Sequence, residues 1–276
     1  MTKGTVLTLV LLVSALAPVS LLAQEENLAK KSQNPVGDLI SVPIEFWHHE
    51  SKNTDTSANA LIAKPVYPVS IGNLNLINRF IIPFIGLDAI FDGDIPDINL
   101  GGTGTNESGL GNIQYTGFFS PATPGKVIWG VGPVIEFPTH TKDFLGSDKL
   151  SAGASVVVLS MPGNWVVGML AQYLWSIGGD SDAPDVNKFT FQYFLNYNLD
   201  KGWYLTTAPT ITADWEVESS ERWSVPWGGG VGRGVKFDKL PVDFKLQYYG
   251  YSKGSLDNSL MFSVKFLFPK LIYAVD

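Results

Sequence analysis

The sequence predicts an all-β fold: a transmembrane, antiparallel, up-and-down β-barrel of about 12 strands. Three observations predict it. Long segments alternate strictly between apolar and polar residues, with tryptophan at their ends. The chain opens with an export signal, yet no later apolar run reaches the ~18 residues of a spanning helix. The connections between the alternating segments switch between tight and long.

Composition agrees. Aromatic residues make up 12% of the 276 residues. Charged residues make up only 16%, against ~25% in soluble domains. There is no cysteine, which removes disulfide scaffolds and thiol chemistry. A net charge of −7 argues against nucleic acid as a partner. A secreted β-sandwich is the competing fold, but globular strands average ~5–6 residues and have no reason to carry aromatics at both ends.

In chain order, residues 1–23 read as a signal peptide. Lys3 supplies the positive start, an apolar run follows to Ala17, and the cut falls after Ala23. An uncleaved anchor is the alternative, disfavoured because the run is short. Residues 24–38, QEENLAKKSQNPVGD, form a segment stopped by Pro35 that either plugs the lumen or lies in the periplasm. Residues 39–268 form the barrel. Its strands fall near 39–47, 59–71, 74–85, 111–119, 126–138, 149–160, 164–177, 187–199, 202–215, 222–236, 240–251 and 258–268. Residues 269–276 are a tail.

The stretch Trp203–Trp215 shows the period best. One parity is Tyr204, Thr206, Ala208, Thr210, Thr212 and Asp214. The other holds Leu205 and Ile211 between the two tryptophans. Twelve steps at ~3.3 Å, tilted by ~40°, project to ~30 Å, the thickness of a bilayer's hydrocarbon core. Indole rings prefer the interface, where an apolar ring and a wet N–H are both satisfied. Trp165, Trp175, Trp203, Trp215 and Trp223 therefore read as an interfacial girdle against outer-membrane lipid and lipopolysaccharide. The even connections carry turn chemistry: IGN, SPATPG, MPGN, LDKG and FDKLP. The odd ones are longer, notably 86–110 and 178–187. Short periplasmic turns with longer outer loops are the bacterial barrel pattern. That pattern puts both termini in the periplasm and the protein in the outer membrane after export. The last strand, SLMFSVKFLF, ends on an aromatic, Phe268, as the barrel-insertion machinery reads.

Parity assigns inward charges: Glu45, Lys64, Arg79, Glu136, Asp214, Asp243, Lys245 and Lys265. Facing lipid, each Lys or Arg would cost ~2–4 kcal/mol. The mixture of signs predicts no ion-selective ring; it fits a salt-bridged, narrow lumen or a path for neutral or zwitterionic solutes. Gly228, Gly230, Gly232 and Gly234 form an inward strip without side chains. It permits barrel bending, the favoured reading, or close approach of a plug, a loop or a flat ligand.

Catalytic and metal motifs are sparse. His48, His49 and His140 read as solvated residues of strand ends and outer loops, without HExxH spacing. A rim hydrolase would use His140 with Ser147 or Ser151, and nothing marks that pair. Asp92, Asp94 and Asp97 do not have calcium-loop spacing. No catalytic residue, metal or cofactor is expected.

Several segments together resemble one bacterial family: LAKKSQNPVGDLISVP, GLGNIQYTGFFSP, GKVIWGVGP, LSMPGNWVVG, NYNLDKGWYLTTAPTITADWE, RWSVPWGGGVGR and FLFPK. This is the outer-membrane barrel family named for the MetA pathway of phenol degradation. The resemblance runs from about Leu28 to Lys270. It implies a barrel that passes small, aromatic or hydrophobic solutes, and it carries no site residues. The alternative is a non-conducting structural barrel, its lumen filled by residues 24–38 and by ion pairs.

Overall fold

The computed structural model describes residues 30–52, 56–87, 90–91, 104–105, 108–238 and 240–268. The expected signal peptide, residues 24–29, the tail 269–276, and Asp92, Asp94 and Asp97 lie outside them. The wall has 12 strands. β1 is Ile40–Ser51. β2 has two segments, Ser57–Ala63 and Val66–Ile71. β3 is Leu74–Leu87, β4 Ile113–Pro121, β5 Val127–Phe137 and β6 Lys149–Ser160. β7 is Trp165–Gly179 and β8 Asn187–Asn198. β9 has two segments, Trp203–Thr207 and Thr210–Asp214. β10 is Trp223–Phe237, β11 Leu240–Lys253 and β12 Leu256–Phe268.

Each strand pairs antiparallel with its sequence neighbours, and β1 pairs with β12 from Ile40↔Phe268 to Ser51↔Leu256. Closure leaves no sheet edge, which is the condition for a β-structure to cross hydrocarbon.

Side chains obey the two-residue period. On β7, Trp165, Val167, Met169 and Trp175 are exposed, while Val166, Leu170, Gln172 and Leu174 are buried. On β1, Ile44 and Phe46 are exposed and Glu45 and His49 buried. The exposed apolar parity forms the belt that lipid covers, so the hydrophobic face of this fold points outward.

Two expectations need correcting. The stretch Trp203–Trp215 is not one continuous strand: it breaks at Ala208–Pro209. Proline has no N–H to give to a ladder. No residue is inserted there, because Leu195↔Thr207 and Gln192↔Thr210 share one register. The long–short rhythm also lapses at the eleventh connection, where Gly254 (φ +105°) and Ser255 alone join β11 to β12.

The barrel interior is filled rather than empty. Residues 30–32 make one helical turn inside the end where the termini lie, and the chain then runs to β1. The side-chain oxygen of Asn34 caps the N–H of Val36 at 3.0 Å. Val36 packs with Ile77, Phe118, Val157, Leu159, Val166, Leu170 and Phe194. At the opposite end, Leu145 of the 138–148 loop folds inward onto Ala58, Ala60, Ile62, Ile81, Ile85 and Leu256.

Candidate functional site

The lumen between these two fillings is the candidate site. It is a cavity open to solvent and lined from both sides of the barrel. One side is apolar, with Leu170 and Phe194 from β7 and β8. The other carries Glu45, Lys64, Asp243, Lys245 and Lys265 from β1, β2, β11 and β12.

The charges are largely held in place. Lys64 Nζ lies 2.8 Å from Glu45 Oε2, and the Trp47 indole N–H donates to the same oxygen at 3.0 Å. The Tyr204 hydroxyl donates to Asp243 at 2.8 and 3.0 Å from its two carboxylate oxygens. Asp243 sits opposite Lys265 in the ladder, and Lys265 Nζ donates to the Ser32 carbonyl at 2.8 Å. The wall charges thus grip the N-terminal segment. Its other holds are Lys30 Nζ on the Met161 carbonyl at 3.0 Å and Gln33 on Asn198 at 2.9 Å. Arg79 faces the same cavity and shares no ion pair among the described residues.

Glu136 lies outside this cluster. It is only 2% exposed and accepts from Gln114, which in turn accepts from Gln172. Thr206, Thr210 and Thr212 are buried on the inner face of β9. Gln192 donates to the Thr210 hydroxyl at 3.0 Å. Asp214 belongs to the far rim, where it accepts from the Glu216 N–H. Trp165 and Trp203 start their strands at the terminus end. Trp175, Trp215 and Trp223 stand at the loop end, with Arg222 over the Trp215 ring and Arg233 over that of Trp203.

The glycine strip has a different cause from barrel bending alone. The Tyr204 ring crosses from β9 over Gly232 to reach Asp243 on β11. A Cβ on Gly232 would stand 2.1 Å from the ring's Cζ. From the other side, Tyr249 of β11, opposite Gly228, sends its hydroxyl to the Ala208 N–H of β9 at 3.1 Å. Two tyrosines therefore bridge across β10. At Gly232 a side chain would strike the Tyr204 ring, whereas at Gly228 and Gly230 it would strike the β11 backbone at 2.2 and 1.8 Å, which is the close approach of a sharply bent wall. At the loop end, a Cβ on Gly111 would meet the Leu145 carbonyl at 2.9 Å, so the inward loop needs that glycine.

The histidine reading is corrected. His49 is not solvated: it is 1% exposed, stacked on Trp47 and bonded through Nδ1 to Ser259 Oγ at 2.6 Å. It shares the inward parity of Glu45, a signal already present in the sequence. The imidazole of His140 is buried too, between Asn112 at 3.0 Å and Asp148 at 3.2 Å. Its ring nitrogens are thereby engaged, and neither meets Ser147 or Ser151. His48 stays at the surface on Asn59. Among the described residues, no cluster of three metal-ligating side chains occurs.

Comparison with known proteins fits this architecture. The chain belongs to the family described as "Putative MetA-pathway of phenol degradation", whose pattern matches residues 50–253. The COG4313 outer membrane channel from Pseudomonas putida F1 is similar in fold. Its TM-score is 0.62 at 14% identity, covering 84% of this chain and 96% of that one. The β domain of the Bordetella autotransporter BrkA aligns less well, at TM-score 0.43 and 12% identity over 84% of this chain and 100% of its own. No curated protein sequence matches.

Proposed function

We propose that this outer-membrane barrel is a passive channel for small solutes with an apolar, aromatic body and a polar edge. The observation that carries the reading is the two-sided cavity: Leu170 and Phe194 face a wall where both carboxylates are held, Glu45 by Lys64 and Asp243 by Tyr204, and where cations outnumber carboxylates. A flat apolar ring gains by leaving water for the first wall. Its hydroxyl finds donors and acceptors on the second. The excess of cations there favours an edge that accepts hydrogen bonds, such as a phenol oxygen, over a cationic solute. The family description names phenol degradation, which agrees with such a solute.

On this reading Thr206, Thr210, Thr212, Glu45, Lys64, Asp243, Lys245 and Lys265 line the path, with Arg79, Glu136 and Asp214 towards its margins. The five tryptophans hold the barrel's height against membrane lipid and lipopolysaccharide, and the Phe268 ending serves insertion. The chain performs no chemistry on its solute. The test is flux through purified protein in liposomes, comparing phenols with sugars and amino acids of similar size. Phenols are expected to cross fastest. Equal rates for phenols and sugars would remove the case for an amphiphile path.

The hold on residues 30–38 favours a second reading, a non-conducting structural barrel. Absence of flux for every solute class, in protein shown to be inserted, would select it.

A further inference from the structure

One cation of the wall stands outside the lumen. Arg233 of β10 pairs in the ladder with Trp203 of β9 and Phe244 of β11. Residues opposite one another across a ladder share a face. Trp203 belongs to the lipid-facing parity of β9, so Arg233 points outward. Away from the outer rim, no other Lys, Arg, Asp or Glu stands on that face among the described residues. A lipid-facing cation is costly at the midplane and cheap near the interface, where its long stem carries the charged head to the headgroups. Arg233 is at such a level. It lies four residues before Phe237, the last residue of β10 at the terminus end. That is ~13 Å of strand, or ~10 Å of depth at a tilt of ~40°.

The surroundings orient its guanidinium and leave it unanswered. The guanidinium carbon lies 5.0 Å from the centroid of the Trp203 ring, which fixes the plane of the fork. On the other side, Phe244 packs edge-on against Phe237. Among the described residues Arg233 has no carboxylate partner, and its Nε is buried without an acceptor. The next lipid-facing row, two residues deeper, is Leu205, Val231, Leu246 and Phe262, all exposed. The stack at the loop end, Arg222 over Trp215 at 4.7 Å, is different. Its hairpin carries Glu216, Glu218 and Glu221, which repel an anion.

We propose that Arg233, held flat by Trp203, binds the phosphate of an anionic glycerophospholipid in the periplasmic leaflet. The lipid's acyl chains lie along the row of Leu205, Val231, Leu246 and Phe262. A guanidinium fork matches two phosphate oxygens at once, and such charge-assisted bonds are the strong ones. A headgroup with one net negative charge leaves the pair neutral at the edge of the hydrocarbon, whereas a zwitterionic headgroup brings a second cation to the site. The site does not depend on what passes through the lumen.

The test is lipid titration read by native mass spectrometry, with purified protein in detergent and either dioleoylphosphatidylglycerol or dioleoylphosphatidylcholine. The wild-type barrel should retain phosphatidylglycerol in preference to phosphatidylcholine. Arg233→Gln should weaken the tightest adduct about tenfold, or ~1.4 kcal/mol. Arg233→Lys keeps the charge and loses the fork, so it should recover only part of that loss. Arg222→Gln should leave the adduct unchanged. Equal retention of the two lipids, unchanged affinity in Arg233→Gln, or loss of the adduct in Arg222→Gln overturns the site. Displacement of the lipid by millimolar inorganic phosphate overturns it too, because the acyl chains would then contribute nothing.

The unmodified protein decides the matter if Arg233→Gln fails to insert. The chain has three arginines, Arg79, Arg222 and Arg233. Phenylglyoxal modification, located by peptide mass, should be several times slower at Arg233 in phosphatidylglycerol vesicles than in phosphatidylcholine vesicles, once scaled to Arg222. An unchanged ratio overturns the site.

Discussion

Gly232→Ala tests the bridge across β10 in one methyl group. The added Cβ would stand 2.1 Å from Cζ, 2.3 Å from the hydroxyl oxygen and 2.6 Å from Cε1 of Tyr204. The ring must therefore move, and in moving it gives up its hydrogen bonds to Asp243. A hydrogen bond to a charged group contributes about 1.5–3 kcal/mol, and the stranded carboxylate adds to the loss. We expect Gly232→Ala to destabilise the barrel by about 2–3 kcal/mol, a roughly 30- to 150-fold shift in the folding equilibrium. Tyr204→Phe, which keeps the ring and loses the hydroxyl, should cost about 1.5–3 kcal/mol. The decisive comparison is Gly232→Ala made in a Tyr204→Ala background. All three nearest atoms to the new Cβ belong to Tyr204, so the glycine substitution should there be nearly free. Urea unfolding in lipid vesicles measures each, and the cycle gives the coupling directly. If Gly232→Ala costs the same with and without the tyrosine, the ring is not the reason for the glycine, and curvature of β10 is.

Other expectations follow from the same lumen. Lys64→Ala leaves Glu45 buried with the Trp47 N–H and the nearby charge of Lys245 and should cost about 3 kcal/mol in the same unfolding assay; the double variant Lys64→Met, Glu45→Gln should recover most of it. Deleting residues 30–38 removes the grips on Met161, Asn198 and Lys265 and should raise single-channel conductance in planar bilayers; unchanged conductance would mean that the segment does not limit the path. The hydrogen bond from Lys149 holds the Asp185 carboxyl below its ordinary value of 3.8, helped by Ser176 and by the charge of Lys149. A lowered value in the folded state means that this tether is present above the ordinary value and is lost as pH falls through the lowered one. The protection factor of the 180–186 loop, its exchange corrected for the intrinsic pH dependence of amides, should therefore be flat from neutral pH down to about 4 and fall below it, and Asp185→Asn should remove that fall.

Much of the wall was legible because a barrel writes its orientation into every second residue. Glu45, Lys245 and Lys265 follow from parity alone, and so do the exposed Trp165 and Trp175. The sequence was less informative wherever a contact joins residues far apart. Nothing in the string links Ser32 to Lys265 or Leu145 to Ile62, because inward filling depends on which way a loop or terminus turns. The glycine strip was visible, but its causes lie on neighbouring strands: the Tyr204 ring over Gly232, and the β11 backbone pressed against Gly228 and Gly230. His49 was misjudged because its place near a strand end outweighed its parity. Pro209 was present in the Trp203–Trp215 stretch, yet the alternation around it is so regular that the period conceals the break.

The account's central claim is that the lumenal cavity holds the solute against its apolar wall. The most direct measurement is crystallographic: soak the protein with 4-bromophenol and locate the bromine by its anomalous signal. The account predicts a bromine inside the barrel, against Leu170 and Phe194, with the phenol oxygen turned towards the charged wall. Bromine found solely on the outer face, among the lipid-facing aromatics, with the cavity unchanged, would contradict it.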